Sequence, residues 1–281
     1  MTLKQKKIPV VSVIIPTCNR ARWVAAAVES VLNQDFEDFE LLVIDDGSTD
    51  DTLQRLKGYG NRLRIICQPN RGVSAARNRG IRASTAPLIA FLDSDDLWLP
   101  GKLARQVAFF EQNPDCRICQ TEEIWERNGR RVNPRRRHAK TAGMIFERSL
   151  ELCLVSPSAV MLRRTLLDAV GMFDEHLPAC EDYDLWLRVS CRYPVGLIEA
   201  PLIVKRGGHA DQLSRQPGLD RYRIRAIVKL LEAGLLTRAQ HRAAVKVLQQ
   251  KCAIYAQGCR KRGRIAECSA YTRLAGSYAA S

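Results

Sequence analysis

The sequence predicts an α/β protein whose mostly parallel central sheet is flanked by helices. Short apolar runs alternate with segments of helical period through the first hundred residues, and three of the four runs end in polar, carboxylate-containing or glycine-rich loops. With 281 residues and 46% hydrophobic content, the chain can fill the core of one large domain, alone or with a helical appendage. Parallel neighbours need crossover connections, which the intervening helices supply. Such sheets bind ligands at the carboxyl ends of their strands.

Val10-Val11-Ser12-Val13-Ile14-Ile15 reads as a buried strand stopped by Pro16, and Ala21 to Leu32 has helical spacing. Glu40 to Ile44 forms the second strand, and the turn Asp45-Asp46-Gly47-Ser48-Thr49-Asp50 caps a helix starting near Asp51. Leu63 to Cys67 is the third strand, followed by the small-residue helix Ser74 to Ile81; Leu88 to Leu92 is the fourth. After Pro100, Leu103, Val107 and Phe110 stripe a helix that ends near Asn113-Pro114. Residues 115–160 are less regular, with Arg117 to Gln120 and Ala159 to Leu162 as short strands and an arginine-rich loop between them. Asp182 to Val189 is helical, and from about Leu219 two or three amphipathic helices follow, with turns at Gly234 and Gly258. These divisions give a body over 1–215, with a nucleotide-binding half at about 8–100 and a second half at about 101–215. A basic helical extension over 216–281 completes the chain.

The formal net charge is +14, from 44 Lys and Arg against 30 Asp and Glu, which favours acidic partners without choosing among them. Residues 218–281 carry 13 Lys and Arg against three Asp and Glu, and seven more cations crowd Arg127 to Lys140. No stretch approaches the roughly 18 apolar residues of a membrane span, and Met1 to Lys7 does not open a secretory signal, so a cytoplasmic protein is expected. The ten cysteines lack the density of a disulfide scaffold, and Cys116 and Cys119 form a lone CxxC, for which coincidence is favoured over a zinc or redox role.

Against this basic background, Asp93-Ser94-Asp95-Asp96 collects carboxylates at the end of an apolar run. In extended backbone, residues two apart point the same way, so Asp93 and Asp95 aim at one point. Mg²⁺ or Mn²⁺ takes oxygen ligands, often one or two carboxylates plus substrate phosphates. The alternative is a capping role for these residues. Asp45 and Asp46 end the second strand as acidic residues do beside a ribose, or form an Asx turn. Gly72-Val73-Ser74 gives backbone access but matches neither a Walker motif nor GxGxxG.

Five motifs then coincide in order. Val11 to Arg20, Val43 to Asp50, Gly72 to Gly80, the Asp93 to Asp96 run and Glu181-Asp182-Tyr183-Asp184-Leu185-Trp186 resemble those of family 2 glycosyltransferases over roughly residues 8–215. The resemblance implies a GT-A fold, a nucleotide-sugar donor with UDP favoured, a divalent metal and inversion at the anomeric carbon. It implies that Pro16 and Thr17 sit beside the nucleoside, that Asp46 contacts the base, and that Asp93, with Ser94 beside it, approaches the ribose. Arg77 becomes a base or phosphate contact and Asp95 the direct metal ligand. Asp182 is the implied general base, with Glu181 orienting the acceptor or assisting. Lys205 to Ser214 is similar to the family's late segment, which makes His209 a ligand of the metal or a diphosphate contact, although Gly207 stands where many relatives carry arginine.

Acceptor recognition is less legible. Trp98 and Trp186 read as core, whereas Trp125 is the best aromatic candidate for acceptor contact. Phe173-Asp174-Glu175 resembles the family's acceptor-side segment. The Arg127–Lys140 cluster suits an acidic saccharide, a lipid diphosphate or a membrane surface, and the tail suits peripheral contact with an anionic membrane. The expected acceptor is therefore a saccharide, a lipid-linked sugar or a related glycoconjugate, and transfer of single sugars is favoured over polymerisation. The competing classes are a nucleic-acid-binding protein and a non-catalytic nucleotide-sugar-binding protein. Strand-end carboxylates would repel nucleic-acid phosphates, so no nucleic acid is expected, and both Asp95 and Asp182 are present, which disfavours lost turnover.

Overall fold

A computed structural model describes residues 7–209, 212 and 216–278. Met1 to Lys6, most of the stretch that bears on a secretory signal, and Ala210, Asp211, Leu213 and Ser214 of the late motif lie outside the described residues. No helix among the described residues is long and apolar enough to cross a membrane.

Among the described residues nine strands form one sheet in the order β3-β2-β1-β4-β8-β6-β9-β5, with β7 beside β6. β1 (Val11–Thr17), β2 (Phe39–Asp46), β3 (Arg64–Gln68) and β4 (Leu88–Phe91) are parallel, in the places the apolar runs predict. The other half is mixed. β8 (Val160–Arg163) runs antiparallel to β4 and to β6 (Ile118–Arg127), β6 is parallel to β9 (Gly196–Gly207), and β5 (Leu97–Trp98) is antiparallel to β9.

The helices α1 (Val24–Leu32), α2 (Thr52–Lys57) and α3 (Val73–Ala83) connect the parallel strands, and α4 (Lys102–Gln112) follows β5. Two apolar clusters cover the two faces of the sheet: Val13, Val28 and Leu103 belong to one, and Ile14, Ile81 and Trp186 to the other. Adjacent residues Val13 and Ile14 feed opposite clusters, as strand alternation requires. Gly80 lets α3 approach β1, because a Cβ there would stand 2.4 Å from Ile14 Cγ2. Trp98 and Trp186 are buried.

The arginine-rich segment is not a loop throughout. β6 continues to Arg127 and pairs with β7 (Arg130–Val132). Between them Asn128 (φ 50°) and Gly129 (φ 74°) make a two-residue turn with both central residues left-handed, the Asn-Gly hairpin chemistry that suits strand twist. Strand β9, unanticipated from the sequence, contains Pro201 at a register shift against Glu122; proline cannot donate to a ladder and obscures the strand pattern.

α5 (Phe146–Glu151), α6 (Arg164–Val170) and α7 (Glu181–Ser190) precede the terminal helices α8 (Asp220–Glu232), α9 (Arg238–Lys261) and α10 (Ile265–Ser277). Gly234 ends α8 as read, whereas Gly258 lies inside α9 and the α9–α10 turn falls at Gly263. Ile227, Leu230 and Leu248 share a buried cluster with Phe146, Leu150, Tyr183 and Leu187. The terminal helices thus bury their apolar faces on α5 and α7. Lys229 Nζ reinforces this contact, standing 2.8 Å from both Asp174 Oδ2 and Asp184 Oδ1.

Candidate active site

Strand ends β1, β2 and β4, the start of α7 and the β6–β9 edge surround a cavity of about 930 Å³. Pro16, Thr17, Asp46, Arg77, Asp93, Ser94, Asp95, Glu181 and Asp182 all line it. His209 joins them through Asp95, with Nε2 2.8 Å from Asp95 Oδ2. Residues separated by nearly two hundred positions therefore meet at one site.

Asp46 is tied to the β3–α3 connection: Oδ1 accepts from Gln68 Nε2 at 2.7 Å and from the Arg71 amide, and Oδ2 accepts from the Gly72 amide at 2.8 Å. Thr17 faces the same cavity with its hydroxyl buried and without a hydrogen-bond partner among the described residues. Asp50 provides the helix-start contact, accepting from the Thr52 amide at 3.0 Å.

Asp93 to Asp96 is a turn, closed by the Asp96 amide on the Asp93 carbonyl at 2.9 Å. The strand stops at Phe91, so the extended-backbone argument for Asp93 and Asp95 fails, and their carboxylates take different partners. Asp93 Oδ1 lies 2.7 Å from Arg77 Nη2, while Asp95 meets His209. Asp96 is buried, accepting from the Arg206 amide and hydrogen bonded to the Ser158 hydroxyl. Burial and the neighbouring carboxylates Asp95 and Asp93 push its carboxyl well above the ordinary range. Burial and Asp93 likewise raise Asp95, against His209.

Arg77 is buried between two carboxylates and over the Phe173 ring at 5.1 Å. Nη1 is 2.6 Å from Glu181 Oε1, completing a bridge from Asp93 to the start of α7. Although burial opposes its charge, Asp93 and Glu181 raise its pKa and hold it protonated. Asp182 extends to the cavity with Oδ1 accepting from the Tyr183 amide at 2.7 Å, and the Cys153 thiol is 3.5 Å from Oδ2.

Trp125, Glu123 and Lys205 also line the cavity. Trp125 Nε1 donates to Glu123 Oε1 at 2.7 Å, Lys140 Nζ is 2.9 Å from Glu123 Oε2, and Lys205 Nζ stands 5.8 Å from the Trp125 ring centre. Against the upward push of burial, Lys205 and Lys140 hold the Glu123 carboxyl down at about 2. The sequence reading missed Lys205, Glu123 and the tail's Leu219 and Arg223, which also line the cavity. It also missed Trp23, whose ring packs 6.1 Å from His209 and under Arg206. Trp125 reaches the cavity as read, and the Asn128-Gly129 pair was the available signal for its hairpin. Phe173 packs in the core, Asp174 pairs with Lys229, and Glu175 accepts from Asn78, so this segment joins α3, α7 and α8.

Strand-end carboxylates, a small-residue helix entering the site and a mixed second half of the sheet define the GT-A class of fold. A structure of TarS from S. aureus solved with UDP-GlcNAc has the same fold, with TM-score 0.70 and 22% identity, over 86% of this chain and 71% of that one. The mannosyltransferase PcManGT from Pyrobaculum calidifontis, solved with GDP-Man and Mn²⁺, matches at TM-score 0.57 and 18% identity, over 96% and 87%. The Glycosyl transferase family 2 model matches residues 12–171, and the chain belongs to that family. An uncharacterized glycosyltransferase of Rickettsia bellii is 35% identical over 68% of this chain and 28% of its own length. The Escherichia coli protein WfgD, a UDP-Glc:α-D-GlcNAc-diphosphoundecaprenol β-1,3-glucosyltransferase, is 32% identical over 64% and 69%. This chain spans 28% to 32% of the length of three Rickettsia relatives.

Proposed function

We propose that the protein is an inverting glycosyltransferase that moves a sugar from a nucleotide-diphosphate donor, UDP-sugar favoured, to a hydroxyl of a saccharide or lipid-linked acceptor. The observation that carries this reading is the convergence of Asp182 and the Asp95–His209 pair on one cavity in a family 2 chain. In this reading residues 8–100 hold the donor and 101–215 the acceptor, while 216–281 buttress α7. UDP is supported by the TarS structure with UDP-GlcNAc and by WfgD's donor.

Thr17 and Pro16 border the nucleoside, and Asp46 shapes its pocket while remaining within reach of the base. Ser94 and Asp93 border the ribose. Arg77 is assigned to holding Asp93 and Glu181 in place, because both terminal nitrogens already face carboxylates. Asp95 and His209 supply a carboxylate oxygen and an imidazole nitrogen side by side, a donor set that fits Mn²⁺ or Mg²⁺. No group of three His, Cys, Asp or Glu among the described residues could hold a metal, so this two-donor set requires substrate phosphate and water for the remaining positions. The metal would neutralise charge developing on the departing diphosphate.

Asp182 accepts the proton from the attacking hydroxyl as the new glycosidic bond forms and the anomeric carbon–phosphate oxygen bond breaks, its electron pair leaving with the nucleoside diphosphate. Calorimetric titration with UDP-, dTDP- and GDP-sugars, with and without Mn²⁺, tests the donor site. Metal-dependent binding of one nucleotide class supports it, and absence of binding to folded protein overturns it. Peripheral contact of the basic tail with an anionic membrane is expected to be salt-sensitive; failure to float with anionic liposomes at low salt would remove it.

A further inference from the structure

Six arginines between 127 and 137 carry no ion pair among the described residues; of the seven cations up to Lys140, only Lys140 has one, with Glu123. No Asp or Glu interrupts the segment. The fold concentrates this charge rather than dispersing it. Arg127 stands directly opposite Arg130 across the β6–β7 hairpin, a like-charge cross-strand pair that destabilises a sheet. Arg127, Arg135 and Arg137 line the cavity, and Lys205 lies deeper beside Trp125. The same lining carries Asp46, Asp93, Asp95, Asp96 and Glu123. The cavity lining therefore carries both signs of charge, Asp182 among them, and the arginines of the β6–β7 segment add cations that no carboxylate pairs among the described residues.

Glu123 already pairs with Lys140 and faces Lys205, so a donor diphosphate held at Asp95 leaves Arg127, Arg135 and Arg137 on the cavity lining without an ion-pair partner among the described residues. Guanidinium groups match phosphate oxygens in charge and in paired hydrogen-bond geometry. Resting on the glycosyltransferase reading, we propose that Arg127, Arg135, Arg137 and Lys205 form a phosphate-binding subsite for the acceptor. The accepting sugar carries a phosphate or diphosphate ester, which the arginine arm grips while the sugar lies over Trp125 toward Asp182. Tight phosphate contacts would hold the acceptor hydroxyl in register for deprotonation. A lipid-linked diphosphate and a phosphorylated saccharide share this chemistry.

The test follows Trp fluorescence during titration with geranyl diphosphate, geraniol, glucose 1-phosphate and glucose, with and without saturating UDP. Wild-type protein is compared with Arg135→Gln/Arg137→Gln, both exposed positions, and with Lys205→Met. The expected result is binding of at least one phosphate ester in the presence of UDP, weakened at least ten-fold in the double variant, with the unphosphorylated counterpart tenfold weaker or silent. Geranyl diphosphate or glucose 1-phosphate as the tighter ligand identifies the lipid or saccharide source. UDP binding should be unchanged in the arginine double variant. If neither ester binds wild-type protein, or the double variant binds them equally well, the subsite is overturned. Loss of anionic-vesicle binding without loss of ester binding would instead assign the arginines to a membrane. Failure of UDP itself to bind counts against the donor assignment, and the titrations without UDP still decide the acceptor subsite.

Discussion

Arg77 Nη1 lies 2.6 Å from Glu181 Oε1, joining α3 to the first turn of α7, the helix that carries Asp182. The same guanidinium holds Asp93, so the β4 turn and α7 share one buried charge. Arg77→Met should destabilise the protein by about 3–5 kcal/mol, because it leaves Asp93 and Glu181 without their cation. Urea unfolding checks this; a stability unchanged within about 0.5 kcal/mol would refute the bridging role.

Asp182→Asn removes the proposed proton acceptor but preserves shape. Transfer should fall by roughly 10²–10⁴-fold, with UDP affinity changed less than threefold. Single-turnover transfer and calorimetry on the same sample separate the two effects. Retained transfer would move the base to another residue.

Asp95→Ala and His209→Ala should each weaken metal-dependent donor binding more than metal-independent nucleotide binding. Removing divalent ions with EDTA should produce the same loss in wild-type protein. Equal affinity with and without Mn²⁺ would exclude this pair as the metal site.

Glu123 carries a pH signature. Its folded carboxyl is held at about 2 against an ordinary 4.5, so the folded state favours the ionised form. The resulting stabilisation is fully present above pH ~4.5 and is lost as pH falls toward about 2. Glu123→Gln should therefore lower Tm at pH 6, with the gap to wild type narrowing as pH falls from about 5 to 3. A gap that stays constant would refute the assignment.

Ile227 is fully buried where α8 meets the α7 cluster. Ile227→Ala should cost about 2–5 kcal/mol through the lost contacts and the cavity left behind. If the terminal helices buttress α7, turnover should also fall while UDP binding remains. Unchanged stability would show that this packing contributes little.

The first half of the chain was legible because local patterns are enough there. Val11–Thr17, Phe39–Asp46 and Leu88–Phe91 are buried strands with apolar sequences, and the following helices have their own periodicity. The five ordered motifs also carried family membership. Strand β9 escaped because Pro201 and its register shift break the alternation that marks a strand. Tertiary packing decided the rest. Nothing in the spacing of Arg77, Asp93 and Glu181 announces that one guanidinium joins all three, since such a bridge depends on α3, the β4 turn and α7 meeting in space. The turn at Asp93–Asp96 likewise separated two carboxylates that extended backbone would have aligned, and the Asn128-Gly129 hairpin brought a run of arginines to the cavity edge. Apolar periodicity determined the sheet and helices; long-range packing decided which charges face one another.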